Sequence, residues 1–300
     1  MSRWRQHLTA KRVLVADGAW GTELAKRGLT AGEAPEVWNL ERPEEVSAVA
    51  AAYVDAGADI ILTNTFGGSP IKLARAGLAG RTVDVNRRGV ELSKEASRGK
   101  ALVFASVGPT GEFMAPLGTV GETDMVACFA EQARAIASAE PDGIVIESMS
   151  DLAEATAALR AVRESCELPV VVSMTFERGA RAIATMMGVR PEQAAAELEA
   201  AGADVVGANC GTGIEDIIEV ARLMRPATRL PLWMKPNAGV PELVDGETVF
   251  RETPEVMVSH VPALIEAGAR IIGGCCGTTS EHIQLLAAEI AKLLSQQGDA

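Results

Sequence analysis

Eight short apolar runs, each closed by polar or small residues, divide this chain: RVLVADG (12–18), DIILTNT (59–65), ALVFASVG (101–108), DGIVIES (142–148), PVVVSMTF (169–176), DVVGANC (204–210), LPLWMKP (230–236) and RIIGGCC (270–276). Four share one grammar. In DAGADIILTNT, AEPDGIVIES, AAGADVVGANC and EAGARIIGGCC the chain stops at Gly or Pro and an Ile/Val run follows. A glycine that ends a helix just before a buried strand is the helix-to-strand half of a β/α unit. The runs lack polar alternation, as strands do in a parallel sheet covered on both faces.

Helical spacing follows each run, over 43–56, 82–98, 122–138, 151–164, 191–201, 214–224, 254–267 and 280–295. Eight parallel strands alternating with helices make a (β/α)8 TIM barrel the expected α/β fold. No low-complexity linker divides the 300 residues, so residues 1–300 read as a single barrel domain with its core at about 10–293. The longer loops fall after strand 1 (about 18–42), strand 3 (108–121), strand 5 and strand 7 (236–253). A doubly wound sheet is the structural alternative. It needs fewer strands or a second domain, and DGAWGTE after the first run lacks the phosphate-cradling G-x-G-x-x-G.

Active sites of this barrel lie at the C-terminal ends of the strands. Asp17, Thr63-Asn64-Thr65, Glu147-Ser148, Asn209-Cys210, Lys235, Asn237 and Cys275-Cys276 all follow apolar runs, so they are expected at one mouth. The formal net charge of −12, with a single Tyr and six Phe, disfavours a nucleic-acid role. No run reaches the roughly 18 apolar residues of a membrane span, and MSRWRQHLTAKR is not a secretory signal. A reducing cytoplasm is the expected setting, where grouped cysteines read as metal-binding or reactive rather than cross-linked.

Three of the five cysteines, Cys210, Cys275 and Cys276, stand at strand ends beside glycines. Three thiolates suit zinc (Zn2+) and leave its fourth tetrahedral position open, as a reactive site requires. Adjacent residues of an extended strand point to opposite faces, so Cys275 and Cys276 can share one metal only if the backbone turns there. Gly273, Gly274 and Gly277 supply that freedom. A vicinal disulfide is the alternative. Cys128 and Cys166, each placed on a predicted helix, read as small buried hydrophobes. A thiolate-caged zinc suits capture of another thiol and alkyl transfer to its sulfur.

Asp17 and Glu147 are strand-end carboxylates expected to face an ammonium-bearing ligand; a helix N-cap and a solvated loop acid are the alternatives. Asn237, in KPNAG, is expected to orient substrate or reach the open zinc position, or else to make an Asx-turn. His7 (N-terminal tail), His260 and His282 read as surface or capping residues, so no Ser-His-Asp arrangement can be built. The methionines of TMMGVRPEQ (185–193) read as core or loop packing.

DGAWGTEL (17–24), ILTNTFGG (61–68), VGPTGE (107–112), IESMSD (146–151), GANCG (207–211), KPNAGVP (235–241) and GGCCGT (273–278) together resemble the homocysteine S-methyltransferase family. Within it, the likeness is nearest to the homocysteine-binding domain of cobalamin-dependent methionine synthase. The resemblance runs in order over nearly the whole chain. It implies a (β/α)8 barrel, zinc on Cys210, Cys275 and Cys276, and homocysteine bound through sulfur with Asp17 and Glu147 near its amino group. It further implies that backbone amides around Gly18 and Ala19 meet the substrate carboxylate, and that Asn237 occupies the fourth zinc position before substrate arrives. Two features depart from the large synthase. D-x-H-x-x-G, the pattern of a cobalamin-ligating His, is missing, and TFERGARAIATMMGVRP differs after strand 5.

The expected function is therefore zinc-dependent methyl transfer to homocysteine thiolate, giving methionine, in the cytoplasm. The donor is either a separate methyl-corrinoid protein or a small methylated sulfur or nitrogen compound. Two alternatives stay open: a demethylase that passes a methyl group to a partner corrinoid protein or another thiol, and a non-catalytic zinc barrel that binds a metabolite or partner.

Overall fold

All eight apolar runs become strands of one parallel sheet: β1 (Leu14–Val15), β2 (Ile60–Ile61), β3 (Leu102–Val107), β4 (Gly143–Met149), β5 (Val170–Met174), β6 (Val205–Asn209), β7 (Leu232–Lys235) and β8 (Ala269–Ile272). The structure is a computed structural model and describes residues 3–180, 182–244 and 247–298. Arg181 in the segment after β5, residues 245–246 of the predicted 236–253 loop, and the four terminal residues of the predicted domain lie outside the described residues. The sheet order is β1-β8-β7-β6-β5-β4-β3-β2. A parallel bridge between Ala16 and Ile60, with the Asp17 amide donating to Ile60 O at 3.0 Å, joins β1 to β2 and closes the ring. The expected (β/α)8 barrel is the fold.

The predicted helices appear within one to three residues of their expected ends, with one exception. The 254–267 segment splits into Pro254–Ser259 and Val261–Glu266 at His260. Pro262 has no N–H to donate and its ring disfavours helical backbone just before it, so a second helix starts there. The N-terminus, read as a tail, is a helix (Arg3–Ala10) instead. Its Trp4 packs in the barrel interior on Phe104, with ring centroids 5.1 Å apart, while Arg3 pairs with Asp142 at 3.0 Å. Burying one large aromatic fixes this short helix across the N-terminal end of the barrel. Two small antiparallel ribbons, Glu177–Arg178 with Ile183–Ala184 and Glu242–Val244 with Glu247–Val249, build the loops after β5 and β7. No helix among the described residues is long and apolar enough to cross a membrane.

Alternation along the strands sorts the core. Leu102 and Phe104 of β3 face the barrel interior, with Val145, Val171, Val205 and Trp233 from its neighbours. Val103, Ala105 and Val107 pack outward against the helices. With a side-chain period of two, the next inward side chains are Ser106, Glu147, Ser173 and Lys235, with Asn209 following Gly207 on β6, and all five are buried. A polar layer thus caps the apolar one at the C-terminal end of the barrel.

Candidate metal centre and substrate cavity

Cys210 is the first residue beyond β6, and its backbone adopts φ 62°, a left-handed conformation that few residues with a side chain adopt. The strand path ends there, with Thr212 N donating to Cys210 O at 2.8 Å. Beyond β8 the chain makes a turn from Cys275 to Thr278, closed by Thr278 N to Cys275 O at 3.1 Å, with Gly277 at φ 80° in its third position. This turn removes the strand alternation that would have separated the two adjacent cysteines. Backbone bonds then tie the three loops together: Cys210 N to Lys235 O (3.2 Å), Cys275 N to Pro236 O (2.7 Å) and Ala238 N to Cys276 O (2.9 Å).

The Sγ atoms of Cys210 and Cys276 lie 3.7 Å apart, and all three sulfurs fall within 4.8 Å of one another, the only cluster of potential metal ligands of this kind among the described residues. A zinc–sulfur bond of about 2.3 Å sets a tetrahedral edge of about 3.8 Å, so the donor set fits zinc in type and spacing. Hydrogen bonds from the thiols of Cys275 and Cys276 hold Cys210 down at about 3; the same sharing with Cys210 pushes Cys275 up to about 11, and Cys276 up as well. One sulfur keeps its charge by drawing protons toward it from the other two. Only a cation among them makes three thiolates favourable together.

Two asparagines serve this trio. Asn209 donates its Nδ2 to Cys275 Sγ at 3.6 Å and to Ser148 Oγ at 2.8 Å, while its Oδ1 accepts from Ser148 N (2.9 Å) and Ser173 Oγ (2.7 Å). The side chain of Asn237 also hydrogen-bonds Cys210 and helps lower its pKa. Its Oδ1 is buried without a partner, so no Asx-turn forms, and a bare acceptor remains beside the sulfurs.

Asp17 is fully buried at the end of β1. Its Oδ1 accepts from Lys235 Nζ at 2.6 Å, and its Oδ2 accepts from Leu62 N (2.7 Å) and Trp20 Nε1 (2.8 Å). It is not a helix cap, since the helix Gly21–Lys26 follows Trp20 with no side-chain cap. A Cβ on Gly18 would sit 2.8 Å from the Tyr53 ring and hydroxyl and 2.9 Å from Thr278 Oγ1, so only glycine fits. The Ala19 amide donates to Thr278 Oγ1 at 3.2 Å, and Tyr53 OH donates to Ala19 O at 2.6 Å. Glu147 is buried rather than solvated, and Ser106 Oγ donates to its Oε1 at 2.5 Å. Burial pushes its pKa up to about 7, even though Lys235 nearby draws it down.

A cavity of about 670 Å³ joins these groups; Gly18, Glu147, Cys210, Lys235, Cys275 and Cys276 line it. Trp20, Phe66 and Glu36 line it as well. Asp17 and Asn237 are not among the lining residues and stand behind them. Glu36, unassigned by sequence, is a buried carboxylate that accepts from Gly67 N at 2.5 Å and so ties the loop after β1 to that after β2. Cys128 is a buried helix residue as expected, but Cys166 lies one residue past its helix, in extended backbone. His7 lies on the N-terminal helix, His260 between two helices, and His282 bonds Thr279 at the start of the last helix. Of the methionine pair, Met186 is exposed.

Comparison with known proteins follows the same lines. A family profile described as Homocysteine S-methyltransferase matches residues 14–290. Methionine synthases of Mycobacterium leprae and Mycobacterium tuberculosis are 30% and 29% identical over 94% and 95% of this chain, which spans about a quarter of their length, 25% of each. Crystal structures of the homocysteine methyltransferase MmuM from Escherichia coli superpose over 95% of this chain and 98% of theirs. The metallated form gives a TM-score of 0.80 and the oxidized form 0.79, each at 25% identity.

Proposed function

The chain belongs to the homocysteine S-methyltransferase family, and from that premise we propose that it transfers a methyl group to the sulfur of homocysteine, giving methionine, with zinc held by Cys210, Cys275 and Cys276. The observation that carries this reading is the meeting of three sulfurs with the charged groups of Glu147 and Lys235 on one cavity. Zinc on these three sulfurs would accept a fourth, from the substrate, and keep it a thiolate at neutral pH.

The remaining work falls to the chain's own groups. Glu147 has an oxygen free of hydrogen bonds among the described residues and receives the α-ammonium of the amino acid. Gly18, held close against Tyr53, keeps the backbone near the substrate open, and the Asn237 amide oxygen serves the place beside the sulfurs until the thiol arrives. Trp20 and Phe66 add apolar wall to the cavity and exclude water from it. The substrate thiolate attacks the donor's methyl carbon: a sulfur–carbon bond forms as the bond from methyl to donor breaks, and that bond's electron pair leaves with the donor. Sulfurs of this kind must stay reduced to bind metal, which supports a cytoplasmic setting.

The test is methionine formation from homocysteine with methylcobalamin, S-methylmethionine or betaine as donor, with and without zinc. Zinc-dependent turnover with one donor is expected. Zinc retained with no methionine from any of the three would sink the reading in favour of a binding protein.

A further inference from the structure

We propose that Lys235 is the residue that recognises the acceptor's carboxylate, so that this site selects a thiol acid rather than an amino-thiol of any kind. The inference rests on the thiol-acceptor reading above and assigns a role that neither the family match nor the sequence pattern gives to this lysine.

The geometry separates the charged groups into committed and free. Asp17 accepts three hydrogen bonds from its own chain and does not line the cavity, so it has little left to offer a substrate ammonium. Lys235 stands in front of it. The lysine is 2% exposed, lines the cavity, and gives one hydrogen bond, to Asp17, among the described residues. An ammonium has three protons to donate; the Trp233 ring lies 5.6 Å from this one, and among the described residues no oxygen other than that of Asp17 accepts from it. Its ion pair with Asp17, at 2.6 Å, fixes the ammonium at that wall. A buried cation on a cavity wall with donor capacity beyond its one carboxylate partner is a site for an anion.

Asp17 therefore anchors the lysine and does not bind ligand itself. A substrate ammonium finds Asp17 already paired and goes to Glu147, which among the described residues accepts from Ser106 alone. Of the amides around Gly18 and Ala19 expected at the carboxylate, that of Ala19 is spent on Thr278. A zwitterion thus fits with its ammonium on Glu147, its carboxylate on Lys235 and its sulfur at the three cysteines.

The experiment measures binding by calorimetry to zinc-loaded protein, using three thiols: homocysteine, 3-aminopropane-1-thiol (no carboxylate) and 4-mercaptobutanoate (no ammonium). In Lys235→Met, affinity for homocysteine and for 4-mercaptobutanoate should fall roughly 10- to 100-fold, the loss of a charge-assisted hydrogen bond, with 3-aminopropane-1-thiol unchanged. Because Lys235→Met strands the Asp17 charge, the double variant Asp17→Asn/Lys235→Met, which removes both charges, is measured beside it and should show the same selective loss. Equal losses for all three thiols, or no loss for the two carboxylates, would overturn the inference while leaving the acceptor reading intact. Failure of the unaltered protein to bind any of the three would overturn both.

Discussion

The sulfurs of Cys210 and Cys276, 66 positions apart in the chain, stand 3.7 Å from each other. That separation matches the tetrahedral edge of about 3.8 Å expected of two sulfurs on one zinc ion, and neither strand end could supply it alone. Replacing Cys276 with alanine should therefore lower zinc affinity at least about 100-fold, since a ligand is lost and not merely its support. Metal content after dialysis reads the loss, and an unchanged circular dichroism spectrum shows that the barrel persists. Full zinc occupancy in Cys276→Ala would refute the three-sulfur site.

Asn209 holds four hydrogen bonds that link β4, β5 and Cys275. Asn209→Ala should weaken zinc binding about 10- to 100-fold, the usual effect of removing a group that orients a ligand. Competition with a chelator of known affinity measures it; an unchanged zinc affinity would restrict Asn209 to a packing role.

Glu147 gives a pH signature. Its pKa rises from 4.5 in the free side chain to about 7 in the folded protein, so between these values the folded state binds more protons than the unfolded one. Stability contributed by this group is fully present below about pH 4.5 and falls as pH rises through about 7, by roughly 3 kcal/mol in all. Glu36 and Glu154 also have raised pKa values, so the comparison is between the protein and its Glu147→Gln variant. Urea midpoints at pH 5, 6, 7 and 8 should fall less steeply in the variant, and parallel curves would count against an elevated Glu147.

Gly18 leaves no room for a Cβ against Tyr53 and Thr278. Gly18→Ala should cost about 1–3 kcal/mol of stability, as overpacking in a filled site does. It should also weaken thiol binding, because the residue lines the cavity. Chemical denaturation checks the first effect and calorimetry the second; a variant as stable as the parent would show that the loop after β1 yields freely.

Much of the site could be read in the chain because barrel chemistry gathers at strand ends. Each apolar run that ended in a polar residue pointed to the mouth, and the three cysteines, Glu147 and Gly18 meet there. A further signal went unused. Counting two residues beyond Phe104, Val145, Val171 and Trp233 gives Ser106, Glu147, Ser173 and Lys235, the polar layer above the core. Strand parity alone could have marked Lys235 as inward-facing. Nothing local marked Trp4 as the plug of the barrel or Glu36 as a buried tie, because both depend on partners distant in sequence.

By itself, the sequence determined the (β/α)8 barrel and the thiols at its mouth, since hydrophobic period, helix-ending glycines and residue type are properties of neighbouring positions. Tertiary structure alone decided which charges face the cavity. Asp17 and Glu147 look alike in the chain, each a carboxylate at the end of a strand. The fold sets Lys235 Nζ 2.6 Å from Asp17 and, among the described residues, leaves Glu147 bonded to a serine alone. A long-range ion pair in a buried layer, where the cost of an unpaired charge forces every partner to be chosen, separates the two.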